Sequence, residues 1–180
     1  MRQVGYTLVE VLVVVLIVGV VAAAVIGTYG SVDAEQTLDV AAAEVAAAFR
    51  FARSESIRSG EPHGVAASVS TQRVRVYRLD ESASPPLQDF SIRHPVDKQL
   101  YHLDFSSHPL LAPVKMTIVA FWWSGSIVPT TSLGFDPSGT PKYDDGVSVR
   151  MLSSASITLA AAGRTRLVSV APMTGRVTVQ

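Results

Sequence analysis

The chain has 180 residues, 15 basic and 15 acidic side chains, and a formal net charge of zero. That length suits one domain of ordinary size plus an anchor, and the balanced charge excludes a global basic field for nucleic acid. With no cysteine, disulfide staples, zinc–thiolate centres and thiol nucleophiles are excluded as well.

The first predicted element is a long apolar helix. Residues 1–5 form a polar tip carrying one arginine, Arg2, and residues 11–26 are uninterrupted by charge or proline. From residue 6 to residue 29 the only charged side chain is Glu10. About 24 residues of helix span roughly 36 Å, enough to cross a hydrocarbon core of about 30 Å. A secretory signal peptide fits poorly, because its apolar region is usually about 7–15 residues long. Ala22-Ala23-Ala24 does offer small residues for a cut behind the run, and a plain signal anchor is the other bland reading. A carboxylate inside an apolar span is costly without a partner, which marks Glu10 as a functional residue.

Gly5-Tyr6-Thr7-Leu8-Val9-Glu10, with the apolar run directly behind it, resembles the prepilin leader junction of type IV pilins and type II secretion pseudopilins. The resemblance implies cleavage by the prepilin peptidase between Gly5 and Tyr6 and N-methylation of Tyr6. It also implies an assembly role for Glu10, paired with the amine of a neighbouring subunit's Tyr6. The physics agrees, since a buried carboxylate and a buried ammonium each cost several kcal/mol alone and offset one another as a pair. The chain has Tyr6 where the family usually has Phe, and Gly27 where pilins often carry a mid-helix Pro. Glycine still permits a local bend.

Residues 30–60 continue the helix in amphipathic form. Leu38, Ala41, Ala42, Val45, Phe49, Ala52 and Ser56 share one face at 3.6-residue spacing. Acids (Glu35, Asp39, Glu44) precede bases (Arg50, Arg53, Arg58), as the helix macrodipole favours. Ser59-Gly60-Glu61-Pro62 ends the helix, with Gly60 as a left-handed cap. Ala52-Arg53-Ser54-Glu55-Ser56-Ile57-Arg58-Ser59-Gly60 resembles a stretch of the type II secretion protein H / FimT family of minor pilins. Ser56 stands where that family usually has Ala.

Residues 61–180 read as a β-rich head. Residues 64–70 and 73–79 form a predicted hairpin around Ser70-Thr71-Gln72. Residues 80–89, with Pro85-Pro86, read as a loop. Strands are expected over 99–105, 115–123, 147–152, 156–159, 166–170 and 176–179, with a turn at Pro137-Ser138-Gly139-Thr140-Pro141. The fold class is α+β: a long N-terminal helix packed on an antiparallel, β-sandwich-like head. Heads of the secretion protein H family are similar, and Phe135-Asp136-Pro137-Ser138-Gly139 and Thr174-Gly175-Arg176-Val177 resemble that family's late strands.

No constellation supports enzyme chemistry, and no cofactor or metal is expected. His63, His94, His102 and His108 are scattered, without a His-x-x-x-His pair. Ser124-Gly125-Ser126 is not a nucleophile elbow. Asp136, Asp144 and Asp145 could surround a calcium ion, but Asp144-Asp145-Gly146 reads more simply as a solvated turn. Of Trp122 and Trp123, alternation puts one in the core and the other partly outside, as a possible subunit contact. Residues 147–180 hold Arg150, Arg164, Arg166 and Arg176 and no acid. Gly163-Arg164-Thr165-Arg166 resembles the Gly-Arg-x-Arg motif of DNA-binding FimT pilins, so Arg164, Arg166 and Arg176 are candidate phosphate contacts. A solvated hairpin turn is the plain alternative.

The resemblances imply a minor pseudopilin of type II secretion, with a DNA-binding minor pilin of the FimT kind as the alternative. Its expected partners are other pilins or pseudopilins, the prepilin peptidase, the inner-membrane assembly platform and the inner membrane. DNA joins them only in the alternative. The expected location is the bacterial inner membrane, crossed once, with the head in the periplasm.

Overall fold

The computed structural model of the chain describes residues 8–83, 85–125, 130–144 and 149–180. A single helix, α1 (Leu8–Ser59), runs for 52 residues, about 78 Å at 1.5 Å per residue. Its second half carries the stripe expected from the sequence. Leu38, Ala41, Ala42, Val45, Phe49, Ala52 and Ser56 are all fully buried. Burying a side chain such as Leu38, Val45 or Phe49 contributes about 1.5–3 kcal/mol each. Tertiary packing therefore holds this half of the helix, more than propensity does. Gly60 closes it: its N–H donates to the Ser56 carbonyl at 3.0 Å and its φ is 72°.

Ten strands follow among the described residues: β1 (His63–Ser68), β2 (Arg73–Asp80), β3 (Leu87–Asp89), β4 (His102–Asp104), β5 (Lys115–Trp123), β6 (Ser132–Phe135), β7 (Pro141–Asp144), β8 (Val149–Ala161), β9 (Arg164–Val170) and β10 (Val177–Val179). All pairings are antiparallel. The path runs β10-β9-β8-β7-β6-β1-β2-β3, with β4 on β2 and β5 on β8. The halves of the head thus join through β8, which pairs with β7 at its start and with β5 and β9 beyond. The α+β class holds, and the sandwich-like head is one continuous hydrogen-bonded sheet. α1 lies against β1, β2, β6, β8, β9 and β10.

Four strands differ from the sequence expectation, β6 among them, since residues 132–135 read in sequence only as the approach to a turn. Two strands expected from the sequence, 147–152 (149–152 in its described part) and 156–159, belong to one strand, β8. Trp122 pairs with Ser154 and Trp123 with Leu152, so Ser153 is the extra residue of a β-bulge, not a break. Leu87–Asp89, inside the expected loop, pairs with the end of β2. Pro141 opens β7 as the first residue of a strand, where a missing N–H costs no ladder bond. The hairpin, β5 and the terminal strands stand close to where they were expected.

Gln72 is the hinge of this arrangement. It sits in the β1–β2 turn with φ 53°. Its side-chain amide donates to the Met116 carbonyl at 2.9 Å and accepts the Met116 N–H at 2.8 Å. Its own carbonyl accepts the Phe105 N–H at 3.0 Å. One side chain thus caps the open edge of β5 at Met116 and ties it to the hairpin.

Candidate functional site

Glu10 lies in the first turn of α1 and is exposed. Around it, every side chain from residue 8 to 21 is exposed, Leu8 at 80% and Leu16 at 68%. This stretch is apolar all round, a pattern that belongs inside a protein or in lipid. Among the described residues no helix is long and apolar enough to cross a membrane. The expected span begins and ends beyond them: Gly5 and Tyr6 lie outside the described residues, as do the side chains of 22–29. An acid at the N-terminal end of a helix complements the macrodipole, so Glu10 is compatible with the helix that carries it.

The candidate DNA-binding arginines do not come together. Arg164 and Arg166 lie at the start of β9, just after the β8–β9 turn, and face the acidic side of α1. Arg164 bonds the Glu35 carboxylate. Arg166 Nε donates to Asp39 Oδ1 at 2.6 Å and its Nη2 to Glu35 Oε1 at 3.3 Å. The members of this network are between 26 and 54% exposed, so each pair contributes only about 0–1 kcal/mol. Their geometry still fixes the turn on the helix and matches both charges. Arg176 stands apart, in the turn before β10.

The segments resembling the secretion protein H family meet at one place. Arg53, from α1, donates through Nε to the Gly139 carbonyl at 3.0 Å. Gly139 belongs to a turn built on Asp136, whose Oδ1 accepts from Ser138 N–H at 2.8 Å, Ser138 Oγ at 2.6 Å and Thr140 N–H at 3.0 Å. Burial opposes ionisation of Asp136, but these bonds hold its carboxyl below the usual range. Gly175 packs against both, with φ 63°. A Cβ there would lie 2.8 Å from the Gly139 oxygen and 3.1 Å from Arg53 Cδ, so only glycine fits. Next to Arg53, Ser56 staples the helix to the sheet. Its oxygen accepts the His63 N–H at 2.9 Å. Its hydroxyl proton is shared between the Ala52 carbonyl at 3.0 Å and the Phe135 carbonyl at 3.2 Å. Glu55, one residue before it, pairs with Arg58, and that hydrogen bond sets its carboxyl below the usual range.

The histidines are less scattered than their positions suggest. His94, His102 and His108 line one cavity of about 380 Å³ together with Glu44 and Asp97. Tyr101 lies on the same wall, its phenol pushed up to about 12 by burial and by the nearby Glu44. Their intervals of eight and six residues follow no ligand motif, so nothing in the sequence marked the grouping. Among the described residues no group of three or more His, Asp or Glu has metal-holding geometry. Of the proposed calcium residues, Asp136 is committed to its turn, while Asp145 and the side chain of Asp144 lie outside the described residues. Ser126 lies outside them too. Trp123 is buried and donates Nε1–H to Thr130 Oγ1 at 2.7 Å, whereas Trp122 is 38% exposed.

Comparison with known proteins adds two family matches. Residues 1–26 match the prokaryotic N-terminal methylation motif, and residues 41–174 match the family described as type II transport protein GspH. Among curated proteins, none matches the chain in sequence. The fold is similar to the minor pseudopilin EpsH from the Type 2 Secretion System of Vibrio cholerae. The TM-score is 0.50 at 16% identity, over 79% of this chain and 95% of that one. A second EpsH structure gives 0.50 at 16%, over 80% and 93%. The type IV minor pilin FimU of Pseudomonas aeruginosa aligns with a TM-score of 0.45 at 14%, over 81% and 90%.

Proposed function

The chain belongs to the GspH family of type II transport proteins, the minor pseudopilins of type II secretion, and on that premise we propose how its residues serve the role. The prepilin peptidase cuts between Gly5 and Tyr6, and Tyr6 becomes the methylated N-terminus. Residues 6–29 cross the bacterial inner membrane once and store the subunit there, with the head in the periplasm. The inner-membrane assembly platform then draws it out into a short periplasmic filament. Glu10 pairs with the amine of a neighbouring subunit's Tyr6 and sets the axial register of the stacked helices. The role is structural and not catalytic.

The observation that carries this reading is the exposed apolar helix around Glu10. Fourteen consecutive exposed residues hold one acid and thirteen uncharged side chains. Such a surface needs lipid first and other helices afterwards. A carboxylate within it stays charged in an apolar core only opposite a cation.

Glu10→Ala tests it. The variant is expected to be cleaved, methylated and stable in the membrane, yet absent from filaments recovered after cross-linking. Glu10 lies 28 residues before Leu38, where the buried stripe of the helix begins, so folding of the head should be unaffected. Assembly of Glu10→Ala at the wild-type level would remove the proposed role.

A further inference from the structure

Most of the described arginines are each engaged singly within the chain, Arg93 by the Lys98 carbonyl at 2.8 Å. Arg58, Arg73, Arg78, Arg164 and Arg166 each meet a carboxylate of the same chain. Arg75 lies 3.9 Å from the ring centroid of Phe90. Arg50, Arg53 and Arg176 differ. They line one cavity of about 500 Å³ with Thr174, Gly175 and Val177. Among the described residues none of these three arginines makes an ion pair, and no acid lines the cavity. Arg50 and Arg176 are exposed and Arg53 is half-buried. Arg53 Nε is committed to the Gly139 carbonyl, which fixes the direction of its fork and leaves its two terminal nitrogens toward other acceptors.

We propose that this cavity seats acidic side chains from the head of a neighbouring subunit in the assembled filament. The inference rests on the assembly role proposed above and names the contact that role requires at the level of the head. Arg50 lies 42 residues beyond Leu8, about 63 Å along the helix, well clear of any hydrocarbon layer around residues 6–29. The partner group is therefore periplasmic. Guanidinium forks bind carboxylates by two parallel hydrogen bonds, and a fork already held in place loses less freedom on binding. A carboxylate fits better than a nucleic-acid backbone. The chain carries no net charge, and the basic pair at Arg164 and Arg166 is matched by Glu35 and Asp39.

The test uses the full-length chain expressed with its filament partners. Arg176→Lys and Arg50→Lys each place a primary amine at the cavity, and a carbodiimide then joins that amine to any carboxylate in contact with it. The expected result is an amide cross-link, located by mass spectrometry, to an Asp or Glu of another subunit in recovered filaments. The double variant Arg50→Gln/Arg176→Gln should be processed normally but enter filaments about tenfold less, whereas Arg50→Lys/Arg176→Lys stays near wild type. If the glutamine variant does not accumulate, the cross-link alone decides. Normal incorporation of the lysine variants without any cross-link to another subunit overturns the proposal. So does salt-sensitive binding of a DNA duplex by the purified full chain in detergent, lost in the glutamine variant, when no cross-link forms. Absence of the wild-type chain from filaments would instead remove the assembly reading, and this contact with it.

Discussion

A hydroxyl on the buried face of a helix is costly unless it is hydrogen-bonded, and Ser56 both donates and accepts. It occupies a position where an apolar residue would satisfy the stripe. Its oxygen is the acceptor for the His63 N–H and its proton serves the Ala52 and Phe135 carbonyls. Ser56→Ala would leave the buried His63 N–H without its acceptor, a loss of about 1–3 kcal/mol. Urea denaturation of the full chain in detergent checks this: the midpoint should fall while the slope is unchanged. A shift within a few tenths of a kcal/mol would contradict the role. The sequence shows Ser56 only as a member of a helical face, because His63 and Phe135 reach it through tertiary packing. The same holds for Arg164, whose partner Glu35 is 129 residues away. Periodicity reports which face a residue occupies and nothing of what lies opposite.

At the scale of elements, the long helix was legible because its pattern repeats over many turns. The stripe from Leu38 to Ser56 has the 3.6-residue period of an amphipathic helix, and no competing period overlaps it. The strands were legible where alternation was clean, as in β2, or where β-branched and aromatic residues cluster, as in β5. They were not where local chemistry pointed elsewhere: the pair Ser153-Ser154 inside β8, two prolines before β3, and a proline opening β7. In each case backbone pairing overrode a local signal. The turns between strands rest on aspartates. Asp80 accepts from the Ser82 hydroxyl, Asp89 from the Ser91 N–H, and Asp104 from Arg73, and each is held below the usual carboxylate range by those bonds. The sign follows from that direction. As pH falls, the unfolded carboxylates bind protons first, near their ordinary value of about 3.9. The folded ones do so only lower down. Their contribution to stability is therefore whole above about pH 5 and is lost progressively below about pH 4. The midpoint of denaturation should be level from neutral pH to about pH 5 and then drop, and Asp104→Asn should make the drop shallower. A midpoint that rises on acidification through this window would contradict the direction of these shifts.

For the whole molecule, three short segments that resemble the same family lie far apart in sequence and meet at Arg53. The helix end supplies the arginine, the Asp136 turn supplies the carbonyl it bonds, and the Gly175 turn packs on both. The resemblance was legible as three fragments, and the fold shows them as one contact. The charge grouping beside it, Arg50 with Arg53 and Arg176, was not legible, since Arg176 joins the two helix arginines only through tertiary packing. Gly5 and Tyr6 were named from the sequence and lie outside the described residues, so the account of the N-terminus rests on the motif there and on the exposed apolar helix behind it. Everything proposed for assembly requires a new chain end at Tyr6, within reach of a neighbour's Glu10. Mass spectrometry of the N-terminal peptide of the chain purified from a host containing the prepilin peptidase tests this most directly. The account predicts a peptide that begins at Tyr6 and carries one added methyl group. A mature chain beginning at Met1, or behind Ala24, would contradict it.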